Sequence, residues 1–115
     1  KELPFIDGDI SIVQAMEIIS KKGFGLGLIK IGSQVKGIFT DGDLRRMING
    51  HVDLTAISIK KVMTKNFKFV NENDFVLDVS RVMEDRKIYS LIVKNSKNSI
   101  TGLIRMHEIL SSKII

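Results

Sequence analysis

The chain has 115 residues, of which 43% are hydrophobic and 27% charged, a balance that excludes disorder over most of its length. It contains no cysteine and only two, widely separated histidines, which excludes disulfides, thiolate metal sites and a histidine-based metal centre, and agrees with a cytoplasmic location. The net charge of +5 comes largely from scattered lysines, and we interpret it as solvated surface rather than as a nucleic-acid patch.

Motifs of membrane proteins and of the common enzyme classes are missing from the sequence. No apolar run reaches the roughly 18 residues that a membrane-spanning helix needs, and the first residues are not those of a signal peptide. No serine stands between glycines in a nucleophile elbow, and no Walker loop is present. We therefore predict that this chain is not an enzyme by itself and that neither a membrane nor a nucleic acid is its partner.

The first predicted elements are a short strand and an amphipathic helix. Residues 4–6 form an extended segment, and the helix that follows has Asp9 as its predicted N-cap. Gly23 is expected to end this helix in a left-handed conformation. Apolar residues recur in the helix at three- and four-residue spacing, at Ile12, Ala15, Met16 and Ile19.

Two apolar strands and a second helix complete the first unit. The strands are predicted at 26–31 and 35–39, joined by a turn at 32–33. The helix is predicted at 41–49, and Gly50 ends it. The order of elements is therefore β-α-β-β-α.

The same order recurs further along the chain. At a constant offset of 64, residues 13–29 align with residues 77–93, and after one inserted residue 37–40 aligns with 102–105. The second copy has strands at 67–70, 90–93 and 100–104, a helix with Val76, Val79, Val82 and Met83 after an Asn73 N-cap, and a helix at 106–112.

These patterns define the predicted domain organisation. We assign a first repeat to residues 1–50, a linker with one helical turn at 59–63 to residues 51–66, and a second repeat to residues 67–115. Neither repeat has enough apolar area for a core of its own, so we expect an α/β (α+β) fold in which the two pack about a pseudo-twofold axis. Such packing leaves clefts lined by strand ends and helix N-termini, which are natural ligand sites.

The strongest functional signal is the strand-to-helix junction at residues 37–46, Gly-Ile-Phe-Thr-Asp-Gly-Asp-Leu-Arg-Arg. The first amides of a helix bind phosphate, Thr40 adds a hydroxyl, and Gly42 lets a ligand approach the backbone. Asp43 would repel phosphate, but its carboxylate suits sugar hydroxyls. Arg46 adds positive charge on the same helix face. Together these groups describe a nucleotide site.

The same residues also fit a structural interpretation. Thr-x-x-Asp is a capping-box pattern, in which Thr40 is the N-cap and Asp43 bonds to the backbone. Arg46 then pairs with Asp43 at the surface. The two interpretations are compatible, because a capped helix end can also bind a ligand.

The equivalent junction of the second repeat has different chemistry. Arg105 and Glu108 replace the threonine and the aspartate. Arg105 either binds a phosphate or forms an ion pair with Glu108 that fills the cleft. We interpret His107 as a surface or capping residue.

Three further residues are candidates beside these junctions. Gly25 and Leu26 follow a helix rather than a strand, which excludes a dinucleotide-binding fingerprint, but their backbone can line a cleft. Thr64, before the second repeat, either faces a ligand or belongs to a turn.

The duplicated pattern resembles the cystathionine-β-synthase (CBS) domain pair, or Bateman module, over essentially the whole chain. Residues 37–44 fit the closing motif of that family, which is glycine, two apolar residues, Thr or Ser, two variable residues, aspartate and an apolar residue. Residues 102–109 fit it with the threonine and aspartate changed, and residues 62–64, Val-Met-Thr, are similar to the start of a CBS unit.

Residues 37–46 and the Met-His pair at 106–107 further resemble the CBS pair of bacterial D-arabinose-5-phosphate isomerases. Those enzymes interconvert ribulose 5-phosphate and arabinose 5-phosphate for the synthesis of 3-deoxy-D-manno-octulosonate (Kdo) and lipopolysaccharide. The resemblance implies a catalytic sugar-isomerase (SIS) domain N-terminal to this chain in the same polypeptide, and a homo-oligomer that contains a CBS–CBS dimer.

The resemblance also implies a regulatory ligand, either CMP-Kdo or an adenine nucleotide, with no other cofactor and no metal. The alternative is an oligomerisation module without a ligand. An RNA-binding module is disfavoured by the aromatic content of only 6%. The predicted ligand site comprises Thr40, Asp43, Gly42, Arg46, Ile6, Gly25 and Leu26, and a second site comprises Thr64, Arg105, His107 and Glu108.

Overall fold

A computed structural model describes residues 2–50, 52–73, 81 and 90–105. The chain divides into two compact units, Lys1–Phe67 and Lys68–Ile115. The elements in chain order are β1 Phe5–Asp7, α1 Ile12–Lys22, β2 Leu26–Ile31, β3 Gln34–Thr40, α2 Asp41–Asn49, a 3₁₀ turn at Ile59–Lys61, β4 Phe69–Asn71, β5 Ser90–Lys94 and β6 Ile100–Arg105.

The first unit contains a three-stranded sheet in the order β1-β2-β3. β1 runs parallel to β2, which is possible because α1 lies between them in the chain, and β3 returns antiparallel through the tight turn at Gly32. Gly32 has φ 66°, a conformation that glycine adopts without steric penalty. The predicted strands are confirmed, with β3 one residue longer at each end than predicted.

The N-cap of helix α1 lies two residues later in the chain than predicted. The N-cap is Ser11, whose hydroxyl accepts the Gln14 N–H at 3.1 Å, while the Gln14 side chain accepts the Ser11 N–H at 3.0 Å. The prediction of Asp9 as N-cap is therefore wrong. The chain is still turning at Asp9, whose N–H donates to the Asp7 carboxylate, and the Asp9 side chain pairs with Lys60 at 2.5 Å.

The ends of both helices agree with the sequence. Gly23 ends α1 at φ 76°, which confirms the predicted left-handed conformation. Helix α2 has the predicted bounds, Asp41–Asn49, and Gly50 ends it, although with φ −83° rather than a positive value.

The segment between the predicted repeats packs on the first unit rather than spanning a gap. We call residues 54–64 the strap. Its Ile59 and Met63 belong to the buried core, at 0% and 9% exposure. The other buried members of that core are Ile6, Ile12, Ala15, Ile19, Ile29 and Phe39. The predicted helical turn is confirmed at Ile59–Lys61, one turn of 3₁₀ type.

Backbone hydrogen bonds fix the strap along its length. It pairs with the chain before α1, where Lys60 N–H donates to Gly8 C=O at 3.0 Å. At its far end Thr64 and Ile38 exchange two bonds, of 2.8 and 2.9 Å, along the outer edge of β3. A Cβ on Gly37 would lie 2.8 Å from the Thr64 carbonyl oxygen, so the strap needs a glycine there for its close approach.

The second unit repeats the sheet of the first. β4, β5 and β6 have the same order and directions, and each sheet has a register shift at equivalent positions, between Ile29 and Lys30 and between Val93 and Lys94. The strand predictions for this unit are confirmed, although its first strand begins at Phe69 rather than at residue 67. Apart from Asn73 and Arg81, its two predicted helices lie outside the described residues, and the repeat boundaries and the pseudo-twofold packing stay predictions.

None of the helices among the described residues is long and apolar enough to cross a membrane.

Candidate functional site

The start of α2 is built where β3 leaves the core. Phe39 is fully buried and anchors the end of the strand, and Thr40 follows it in an extended conformation at φ −119°. The Thr40 hydroxyl accepts the Asp43 N–H at 3.2 Å, and the Asp43 carboxylate accepts the Thr40 N–H at 2.9 Å. The predicted capping box is thereby confirmed.

The Asp43 carboxylate lies at the centre of this site. Only 12% of its side chain is exposed, whereas the Arg46 side chain is 73% exposed. Besides the capping bond to Oδ2, the other oxygen, Oδ1, accepts a bond from the Arg46 guanidinium and one from the Thr64 hydroxyl, the latter at 3.5 Å. The predicted pairing of Arg46 with Asp43 is confirmed.

The backbone amides at this helix start are open. Within the part of the chain that the structure describes, the N–H groups of Asp41 and Gly42 have no hydrogen-bond partner. They are the first two amides of the helix, which no intrahelical carbonyl can reach. Since they point along the positive end of the helix dipole, they are suited to an anion.

Gly42 keeps the approach to these amides clear. A Cβ at this position would lie 3.6 Å from Thr40 Oγ1 and 3.7 Å from Arg46 Nη1. The hydroxyl, the guanidinium and the two open amides therefore surround one small region at the end of the helix.

Gly25 and Leu26 lie next to this helix start. Leu26 is the ladder partner of Thr40, and a Cβ on Gly25 would lie 4.0 Å from Asp41 Oδ2. Gly25 and Asp41 share a depression of about 330 Å³ with Met16, Ile19, Ser20 and Gly23. Ile6, also predicted for this site, has its side chain in the core at 1% exposure.

Thr64 is the residue whose place differs most from its assignment. We assigned it to the second ligand site, but in the structure its hydroxyl lies 3.5 Å from Asp43 of the first site. Arg105 ends β6 opposite Ser90. His107 and Glu108 lie outside the described residues.

The site offers hydrogen-bonding chemistry rather than metal ligation. Among the described residues, no group of three or more histidine, cysteine, aspartate or glutamate side chains is placed to hold a metal ion. The open groups are two amides, and the charged groups are the pair of Asp43 and Arg46 and the carboxylate of Asp41.

Comparison with known proteins gives one family model, the CBS domain, which matches residues 1–50 and 59–114. Among curated proteins, the chain is 36% identical to the arabinose 5-phosphate isomerase KdsD of Yersinia pestis over 99% of its own length. It spans about a third of the length of such relatives, 35% of the Yersinia protein.

Solved structures share the fold. A putative signal-transduction protein with CBS domains from Burkholderia ambifaria superposes with a TM-score of 0.88 at 20% identity, covering 98% of this chain and 83% of that one. CBSX2 in complex with AMP superposes with a TM-score of 0.81 at 16% identity, covering 97% and 87%.

Proposed function

The chain belongs to the CBS domain family, and on that premise we propose that it is a regulatory module that binds a nucleotide at the start of α2. One observation carries the proposal. Two open amides, at Asp41 and Gly42, lie beside a hydroxyl and a carboxylate that are already oriented by a capping box.

The two halves of a nucleotide match the two kinds of group at this helix start. A phosphate accepts hydrogen bonds from the amides and from the Thr40 hydroxyl, and the helix dipole favours its negative charge. A ribose donates hydroxyl hydrogens to the Asp43 carboxylate. The groups act together only on a ligand that carries both a phosphate and a sugar diol.

The relatives indicate which classes of ligand to consider. One solved structure with this fold is a complex with AMP, and the curated relatives are arabinose 5-phosphate isomerases. We infer a nucleotide ligand, either an adenine nucleotide or CMP-Kdo, a product of the pathway that such an isomerase feeds. CMP-Kdo carries a cytidine ribose and one phosphate.

The parent protein of this module is inferred from the same relatives. Because the chain spans 35% of the Yersinia isomerase, we propose that a catalytic SIS domain lies N-terminal to it in a cytoplasmic sugar-phosphate isomerase. Ligand binding then biases the isomerase through a difference in affinity between two arrangements of the full protein.

Calorimetry on the 115-residue chain tests the ligand. CMP-Kdo, CMP, AMP and ATP are titrated separately into wild type and into Thr40→Val, which keeps the shape of the side chain but removes the hydroxyl. We expect at least one nucleotide to bind wild type and to bind the variant about tenfold more weakly, the loss typical of a hydrogen bond to a charged group. The absence of binding with all four ligands would contradict the proposal.

The alternative function, an oligomerisation module, is favoured by an apolar groove between α1 and α2. The groove has a volume of about 520 Å³, and Val13 and Ile48 lie exposed in it at 37% and 54%. Exposed apolar surface of this kind suits a second copy of the chain. Sedimentation of wild type and Ile48→Asp over a range of concentrations tests it, with a dimer expected only for wild type.

A further inference from the structure

The Asp43 carboxylate is already surrounded by hydrogen-bond donors. An ionised carboxylate offers about four lone-pair positions to such donors. Oδ2 accepts the Thr40 amide, Oδ1 accepts the Arg46 guanidinium, and the Thr64 hydroxyl lies 3.5 Å from Oδ1, the outer limit of a hydrogen bond. A ribose diol that donates a hydrogen to each oxygen therefore competes with Arg46 and Thr64 for Oδ1.

Arg46 is the partner that can leave. The Thr40 amide is fixed in the capping box, and the Thr64 hydroxyl, on a backbone held by two bonds to Ile38, makes only a long contact of 3.5 Å that carries little of the carboxylate's stabilisation. The Arg46 side chain, by contrast, is 73% exposed, so water replaces its bonds to Asp43 at little free-energy cost.

The guanidinium also lies beside the open amides. Arg46 Nη1 is 3.7 Å from the position of a Cβ on Gly42, while its other terminal nitrogen, Nη2, contacts Asp43. A phosphate bound to the amides of Asp41 and Gly42 would therefore lie within reach of the same guanidinium. Arginine suits this exchange, because it bonds to carboxylates and to phosphates with the same planar donors.

We propose that Arg46 exchanges partners when the ligand binds, from the Asp43 carboxylate to the ligand's phosphate, and that it thereby selects phosphorylated nucleosides over unphosphorylated ones. A neutral nucleoside must displace Arg46 and gives it no new anion. A nucleotide also displaces Arg46 from Asp43, but its phosphate then accepts hydrogen bonds from the displaced guanidinium. The inference rests on the proposed function, since it concerns the same site.

The test compares affinity ratios rather than single affinities. Calorimetry measures AMP against adenosine, and CMP against cytidine, for wild type, Arg46→Met and Arg45→Met. The control removes the same charge from the neighbouring position, which is also exposed. Thr64→Val tests whether Thr64 is the displaced partner instead.

We expect Arg46→Met to bind the nucleosides about threefold more tightly and the nucleotides about threefold more weakly, so that the preference for phosphate falls by about tenfold. Arg45→Met should keep the wild-type preference within about twofold, as expected for a solvated charge.

The outcomes separate this inference from the proposed function. If wild type binds nucleotides and Arg46→Met keeps the same preference as Arg45→Met, the nucleotide site stands and the exchange is overturned. Tighter binding of nucleosides and nucleotides alike by Thr64→Val, with an unchanged preference in Arg46→Met, overturns it as well, because Thr64 is then the displaced partner. If neither wild type nor any variant binds a nucleotide or nucleoside, both proposals are overturned.

Discussion

The two helix starts of the first unit have the same local structure and opposite accessibility. Both begin with a reciprocal capping box, Ser11 with Gln14 at α1 and Thr40 with Asp43 at α2. At α1 the first two amides, of Ile12 and the residue after it, donate to strap carbonyls at 3.0 and 3.2 Å. At α2 the first two amides have no partner among the described residues.

The comparison teaches that a capping box does not decide whether a helix start can bind a ligand. The box satisfies the third amide in both helices. Whether the first two amides are occupied depends on the strap, which is distant in the chain. The strap supplies the carbonyls of Leu54 and Ile57 to the first two amides of α1, whereas at the α2 site it contributes only the Thr64 side chain. The two helix starts also differ in charge, because the third helical residue is the neutral Gln14 in α1 and the acidic Asp43 in α2.

The largest expected effect comes from loosening the strap. A Cβ in Gly37→Ala would lie 2.8 Å from the Thr64 carbonyl oxygen and 2.7 Å from Met63, so the bonds between Ile38 and Thr64 must lengthen or break. We expect the free energy of unfolding, measured with urea, to fall by about 2–3 kcal/mol.

The control for this substitution is the equivalent glycine of the second unit. Among the described residues, a Cβ on Gly102 would come within 4 Å of Val93 Cβ alone, at 3.9 Å, which is an ordinary contact. Gly102→Ala should therefore change the stability by less than about 0.5 kcal/mol. Equal effects of the two substitutions would contradict the account of the strap.

The second prediction separates capping from ligand binding. Ser11→Ala and Thr40→Ala each remove the hydroxyl of a capping box, so each should destabilise the fold by about 1 kcal/mol. Only Thr40→Ala should weaken nucleotide binding, by about tenfold, because the amides at α1 are already occupied. Calorimetry of both variants with the same nucleotide measures this difference in affinity. A matching loss of affinity in Ser11→Ala would show that the effect is a general loss of stability.

The smallest expected effect concerns the ion pair that joins the strap to the chain before α1. The hydrogen bond from Lys60 to Asp9, with the charge of that carboxylate, raises the pKa of Lys60 above its ordinary value of 10.5. Because the pKa of Lys60 is higher in the folded than in the unfolded state, the ion pair stabilises the fold at pH values below the unfolded pKa. This contribution is lost as the pH rises through the raised pKa.

Lys60→Met should therefore lower the melting temperature slightly, by about 1–2 °C, at pH 7 to 9, and the difference from wild type should vanish well above pH 11. Lys61→Met is the control, since it removes the same charge from the next residue. A difference from wild type that persists unchanged above that pH would show that the ion pair is not its cause.

The sequence predicted the local elements well, because their signals are local. The periodic apolar residues predicted α1, and the internal repeat predicted the same strands in both units. The Thr-x-x-Asp pattern predicted the capping box of α2 and the contact between Asp43 and Arg46. The error at Asp9 was also local. Ser11, two residues further along the chain, caps the helix instead, because its hydroxyl and backbone form a reciprocal pair of bonds with Gln14.

The strap could not be predicted, because its role depends on contacts that are distant in the chain. Residues 54–64 have little periodicity, and we predicted them as part of a linker. The sequence feature that accompanies the strap is a pair of glycines and not a periodic pattern. Gly8 and Gly37 lie where the strap approaches closely, and neither leaves room for a Cβ. Thr64 was assigned to the second site for the same reason, since its nearness to Asp43 follows only from the path of the strap.

An NMR titration tests the central contrast most directly. Amide resonances of the ¹⁵N-labelled chain are followed as AMP, CMP or CMP-Kdo is added. We expect the amides of Asp41 and Gly42 to shift strongly on binding, because they become phosphate donors, while those of Ile12 and Val13 stay in place. If a bound nucleotide leaves the Asp41 and Gly42 resonances unchanged, the start of α2 is not the site.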